Sequence, residues 1–293
     1  MSNNTVVRAS RHGNSRLRHH WLYYALRTAI LVLGSIIIIY PLIWMVSCSI
    51  KSEVAIHRDM YSVLFPVSEI RFDNYVYVWG KPSFQQALQN TASLTAVLLT
   101  ASMGLALLLA YLLWKHPGVG KAAAAVLLLP LLVPSGAITP LWQKLFDTSP
   151  FSSDARCYAA ITSLFLWKYA GAGALILRSG LDGIAPDVLN AASMDGAGPV
   201  KSYLQVCLPM LRREISLTLL LFLMFAFRIY KESYLLFGEY PSEKMYLIQH
   251  YMNNHFMKMN FQYVAVSAVS LATLSLATYA LAYAVMRKKE GQI

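Results

Sequence analysis

Asn190-Ala191-Ala192-Ser193-Met194-Asp195-Gly196-Ala197-Gly198-Pro199, followed by Leu208-Pro209, is a polar, helix-forming stretch set between strongly apolar ones. Pro186 and Asp187 make a helix start, and Val188, Leu189, Ala192 and Met194 can form an apolar stripe at helical spacing. Ala191 and Ala192 leave little side chain between this backbone and whatever it touches. Gly196 supplies the freedom for a turn, and Pro199 can open a second helical piece. Two short helices joined by a glycine turn make a compact knob.

Apolar runs of spanning length lie on both sides of this knob, at 23–48, 94–114, 122–142, 158–177, 215–237 and 263–286. Each is near the ~20 residues a helix needs to cross ~30 Å. The 293-residue chain is 57% hydrophobic and 13% charged, well below the roughly 25% charged usage of soluble domains. The expected fold class is therefore an all-α integral membrane protein of six transmembrane helices, the fifth being the least regular. The expected division is a basic tail (1–22), a membrane domain (23–286) carrying a cytoplasmic loop at about 178–214, and a short tail (287–293). The first run follows basic residues but exceeds the ~7–15 residues of a signal-peptide core and lacks a small-residue cleavage site, so it reads as a retained helix.

A net charge of +11 suggests nucleic acid until its distribution is followed across the spans. Fourteen Lys and Arg fall on the side of the N-terminus and ten on the other, with Lys168 left inside a span. Acids number five and nine respectively, so the two sides differ as +9 against +1. Basic flanks favour the cytoplasm, which places both termini and the knob inside and makes the membrane, not nucleic acid, the partner. Residues 1–20 lack apolar periodicity and read as a mobile tail meeting the anionic inner leaflet. Cys48, Cys157 and Cys207 are scattered without metal-ligand spacing or a disulfide framework.

Inside the spans, Pro130, Pro134 and Pro140 each remove a backbone donor, and Gly136 loosens the chain between them. Such breaks survive only where protein or water satisfies the freed carbonyls, so the third span faces other helices. Lys168 sits mid-span, where a lipid-facing charge would cost ~2.5–3.5 kcal/mol. It either lines a pathway or makes an interhelical or snorkelling contact, and Gly171 and Gly173 beside it permit close backbone approach. Near the far end of the fifth span, Phe225, Phe227, Arg228, Tyr230, Lys231, Glu232 and Tyr234 mix charge with aromatic faces. Arg228, Tyr230, Glu232 and Tyr234 are candidates for a substrate route or gate, and anchoring at the membrane surface is the competing reading.

The spacing of the knob resembles the cytoplasmic loop of permease subunits in binding-protein-dependent ABC importers, whose pattern is Glu-Ala-Ala, Asp-Gly-Ala and Leu-Pro. Ala191 and Ala192 match the paired alanines, Asp195 and Gly196 the Asp-Gly, and Leu208 and Pro209 the Leu-Pro. Asn190 stands in place of the Glu, and Arg213 where a second proline often occurs. Phe72-Asp73-Asn74-Tyr75, Asn90-Thr91 and the 239–256 loop resemble the sugar-permease branch, of the maltose-importer type. The resemblance covers most of residues 25–290. It implies a bacterial inner-membrane subunit that pairs with a homologous permease and receives a carbohydrate from an extracytoplasmic binding protein. It also implies coupling to two separate ATPase subunits through Asn190, Ala191, Ala192, Asp195, Gly196, Leu208 and Pro209.

Gly118-Val119-Gly120-Lys121 lacks the Gly-x-x-x-x-Gly-Lys-Ser/Thr pattern that cradles phosphates. ATP and magnesium are accordingly expected on the partner subunits, with no cofactor on this chain and no catalytic residues. His250 and His255 are five apart without an acidic companion, and no metal is expected. Two other classes compete: an ion-coupled secondary transporter using Lys168 and Glu232, and a membrane scaffold or integral membrane enzyme. Association with ATPase subunits discriminates among them.

Overall fold

The computed structural model describes residues 4–58, 70–148 and 153–288. Pro66, residues 289–293 and the side chains of the basic tail lie outside the described residues. What is described is helical, apart from turns and one isolated antiparallel bridge between Lys51 and Ile70. Helix α1 (Asn4–Ile50) is followed by the short α2 (Glu53–Arg58) and α3 (Asp73–Trp79), and then by the long α4 (Pro82–Lys115). Within the N-terminal tail, the described residues from Asn4 onward are helical and continuous with the rest of α1. Once an apolar helix exists, each added residue gains a hydrogen bond without a new nucleation cost.

The third apolar run divides into α5 (Gly120–Leu132) and α6 (Ser135–Phe146), which meet at 92°. Of its three prolines, only Pro134 sits at the bend, extended at φ −60°, ψ 136° and preceding the first residue of α6. Pro130 and Pro140 lie within their helices. Helix α7 (Asp154–Asp182) carries Lys168 and runs into the knob. The knob comprises α8 (Pro186–Met194), the short α9 (Pro199–Ser202), a π-turn at Tyr203–Cys207 and α10 (Leu208–Met210).

The fifth run is also broken, into α11 (Arg212–Ala226) and α12 (Tyr230–Phe237), with turns between them. Helix α13 (Ile248–Met257) lies across the loop that leads to the last helix, α14 (Phe261–Lys288). By length and apolarity four helices can cross a membrane, five if the bent α5–α6 pair is one crossing. The 215–237 run reads as one span in sequence because apolar residues resume at Leu235, Leu236 and Phe237, whereas the backbone turns where the Arg228 and Ile229 amides make i→i−3 bonds to Phe225 and Ala226.

At the centre, α4 and α7 pack lengthwise through Leu94, Leu98, Ala106, Ile161, Leu164, Phe165 and Leu177, joined by Phe222 and Leu223 of α11. Two glycines two positions apart explain how α7 accepts neighbours on different faces. A Cβ added at Gly171 would strike the Leu127 carbonyl oxygen of α5, and one at Gly173 would strike the Phe222 ring of α11. Helix α1 rests on α14, and its apolar outer face is bare, as suits contact with lipid tails.

Candidate functional site

Lys168, 6% exposed, and Glu232, 3% exposed, come from helices 64 residues apart in the chain and meet in the interior. Lys168 Nζ donates to Glu232 Oε1 at 2.9 Å and to Ser135 Oγ at 2.7 Å, and Ser135 Oγ donates to the same carboxylate oxygen at 2.6 Å. The cluster pins the first turn of α6 between α7 and α12. Neither charge faces lipid, which resolves Lys168 as an interhelical partner that also borders a cavity. Sequence reasoning missed Ser135. The available signal was its place right after Pro134, where a bend aims the first hydroxyl of a new helix inward.

Above this cluster opens a cavity of about 370 Å³ lined by Leu131–Ser135, Lys168, Tyr169, Phe225, Arg228, Lys231 and Glu232. Tyr169 and Phe225 stack with ring centroids 4.2 Å apart. Of the fifth-span candidates, Arg228 and Glu232 line this space, while Tyr230 and Tyr234 do not. Tyr230 packs against Tyr234 and His250, and Tyr234 borders a separate cavity of about 480 Å³ beside Gln143 and Tyr240. Lys231, an equal contributor of charge, belongs with the lining group.

The broken backbone around this cavity has its polar groups met by side chains. Gln249 Nε2 donates to the Phe227 carbonyl at 3.2 Å, and Gln143 Nε2 to that of Leu235 at 2.9 Å. The Asn-bearing dipeptides have the same office. Asn90 Nδ2 donates to the carbonyls of Glu243 and Tyr246, and the Ile248 amide donates to Thr91 Oγ1 at 2.9 Å. Asn74 Nδ2 donates to the Ser49 and Lys51 carbonyls at 3.1 and 2.8 Å.

In the α13 loop, His250 Nδ1 accepts the Leu247 amide at 3.1 Å, so its proton resides on Nε2. Burial between Tyr230 and Tyr246 pushes the imidazole down to about 4, because a charged ring there would lose its hydration. No group of three or more His, Cys, Asp or Glu side chains converges as a metal site among the described residues.

On the opposite end, α8 stops in a Schellman motif. The Ala197 amide donates to the Ala192 carbonyl at 3.0 Å and the Gly196 amide to that of Ser193 at 3.1 Å, with Gly196 left-handed at φ +77°. Asn190, Ala191, Asp195 and Gly196 are exposed, while Ala192 is buried. Val188 and Leu189 turn partly inward with Ala192, but Met194 leaves the expected stripe and is 84% exposed. Two positions past Ala192 is about 200° around the helix, so Met194 points away. Leu208 is half-buried and Pro209 exposed.

The knob is fastened to two long helices. Tyr203 packs tilted against Tyr111 of α4 with ring centroids 4.8 Å apart and donates its hydroxyl to the Leu107 carbonyl at 2.9 Å. Leu211 and Glu214 press on α7 at Gly180, where a Cβ would collide with both. The segments that follow α8 are thus packed directly against α4 and α7.

Residues 102–291 match the family described as "Binding-protein-dependent transport system inner membrane component". The chain is 25% identical over 239 residues to the sulfoquinovosyl glycerol transport system permease protein of Agrobacterium fabrum, spanning 76% of each chain. It is 28% identical to the diacetylchitobiose uptake system permease protein of Streptomyces coelicolor, over 65% of this chain and 61% of that one. It is also 28% identical to the arabinooligosaccharides transport system permease protein of Bacillus subtilis, over 58% and 60%. The last two matches thus span about three-fifths of those relatives. Among solved structures, one chain of a bacterial ABC transporter involved in import of the acidic polysaccharide alginate superposes with a TM-score of 0.73 at 18% identity. That match covers 94% of this chain and 99% of that chain. A second structure, that transporter in complex with an alginate pentasaccharide-bound periplasmic protein, gives 0.70 at 19% identity. At these identities the superpositions speak for the fold.

Proposed function

Because this chain belongs to the binding-protein-dependent transport system inner membrane components, as the match over residues 102–291 establishes, we propose that it forms one half of the membrane pathway of an ATP-driven sugar importer. The named relatives carry sugars or sugar conjugates, which supports a carbohydrate cargo here. A second, homologous permease completes the pathway, an extracytoplasmic binding protein delivers the sugar, and separate ATPase subunits carry ATP and magnesium. The bent α5–α6 pair and the broken α11–α12 pair each count as one crossing, giving six with both termini and the knob in the cytoplasm.

The observation that carries this reading is the fastening of the knob. Asn190, Ala191, Ala192, Asp195 and Gly196 form or border the face offered to the ATPase, and Leu208 and Pro209 begin the return toward α11. Closure of the ATPase pair pushes α8, and Tyr203 and Leu211 pass that push to α4 and α7. Those helices support the cavity beside Lys168, so the two ends of the molecule are joined by packed elements. Asn190 leaves no charge for an ion pair at that position, and docking rests on surface fit.

Cysteine labelling tests the arrangement, since the native Cys48, Cys157 and Cys207 are all buried and add little background. Ser193→Cys is expected to react only from the cytoplasmic side and Asp73→Cys only from outside. The complex purified from its membrane is expected to bring ATPase subunits with it. Labelling of position 193 from outside would remove the docking surface.

A further inference from the structure

The ion cluster fixes what the cavity can recognise. Glu232 supplies the only carboxylate in the lining, and its Oε1 already accepts from Lys168 and Ser135. Two cations remain, Arg228 and Lys231, both exposed and neither in an ion pair among the described residues. Arg228 lies in the turn just past α11 (Arg212–Ala226), and Lys231 lies in the first turn of α12. Uncompensated cations in a membrane protein belong in a wet cavity and not against lipid tails. Beside them stand Tyr169 and Phe225, whose stacked pair offers an apolar edge to a sugar ring.

We infer that this cavity selects acidic sugars, with Arg228 and Lys231 binding a carboxylate or sulfonate on the cargo while Glu232 is held out of the exchange by Lys168 and Ser135. The inference rests on the sugar-importer reading and adds the charge class of the substrate. Arg228 can grip two oxygens of one oxyanion, and Lys231 adds a point charge beside it. A neutral oligosaccharide would leave both cations without a counter-charge. Glu232, locked by two donors, does not repel an anionic cargo as a free carboxylate would.

The test uses the complete importer, purified with its own ATPases and binding protein and reconstituted in phosphatidylcholine nanodiscs. Stimulated ATP hydrolysis is measured with uronate oligosaccharides and their methyl esters, and with a sulfonated hexose against the plain hexose. The acidic member of at least one pair is expected to stimulate the wild type. Arg228→Ala and Lys231→Ala are each expected to weaken that response by about tenfold in apparent affinity, and Arg228→Lys by less. The proposal is overturned if the methyl esters or plain hexose work as well as the acids, or if the variants weaken both members alike. It is also overturned if no acidic sugar stimulates an importer that retains its ATPases, a result that leaves the importer reading standing. Loss of the ATPases from wild-type complex would instead sink the importer reading together with this one. An effect of the variants seen only after adding phosphatidylglycerol would assign the two cations to lipid headgroups and overturn the proposal as well.

Discussion

Lys168 shows how much a single residue of this sequence can say. Its mid-span position demands a partner, yet nothing in linear order identifies Glu232 or Ser135, which lie 64 residues ahead of it and 33 behind. The need for a partner or a cavity was legible, while the choice between them and the partners themselves needed the fold. Removing the lysine alone strands a buried carboxylate, so Lys168→Met is expected to cost about 3–5 kcal/mol of stability. Combining it with Glu232→Gln is expected to recover much of that loss. Thermal unfolding of the purified complex reads both values, and equal losses in the single and double variants would deny the pairing. His250 gives a pH signature on the same scale. Its folded value, about 4, lies below the ordinary 6.5, so its contribution is complete above about 6.5 and is lost as pH falls toward 4. Hydrogen exchange in α13 is therefore expected to speed up, beyond the intrinsic pH effect, between pH 6.5 and 4.5, and His250→Phe is expected to abolish the acceleration. An unaltered pH response in that variant would place the cause elsewhere.

Elements explain which parts of the fold could be read in advance. Runs of twenty apolar residues announced α1, α4, α7 and α14, because hydropathy alone measures a crossing. It fails where an apolar run is divided. Three prolines announced a break in the third run, but only the fold places it at Pro134, with 92° between the halves and α6 packed on α7 and α12. The α11–α12 break has no proline at all, and it is held by the distant side chain of Gln249 on the Phe227 carbonyl. Helix α7 is the element on which the others depend. Gly171→Val and Gly173→Val are each expected to force apart α7 and its neighbour, lowering stability by roughly 1–3 kcal/mol or more. Gly104→Val is the control, since open space surrounds that position. A melting temperature as high in the α7 variants as in the control would show that the backbones do not need that closeness.

Across the whole molecule, the knob follows the C-terminal end of α7, while the charged cavity opens beside the middle of that helix at Lys168 and Tyr169. The knob was readable from sequence because its chemistry is local: a proline start, paired alanines and a glycine stop occupy one short stretch. The cavity was only half readable, since Arg228 and Glu232 enter it while Tyr230 and Tyr234 pack away from it, a distinction made by the α12 turn. The central claim is that force on the knob moves the pathway. Gly196 tests it through backbone conformation, for its Cβ would meet nothing within 4 Å while its φ of +77° disfavours any β-branched residue. Gly196→Val is expected to cost ~1–3 kcal/mol at that turn and leave insertion intact, with Gly196→Asn milder. The deciding measurement is sugar-stimulated ATP hydrolysis and uptake by the reconstituted complex carrying Gly196→Val. The account predicts a membrane-inserted permease in which ATPase retention or stimulated hydrolysis falls and uptake falls with it. Full ATPase assembly together with wild-type coupled uptake would contradict it.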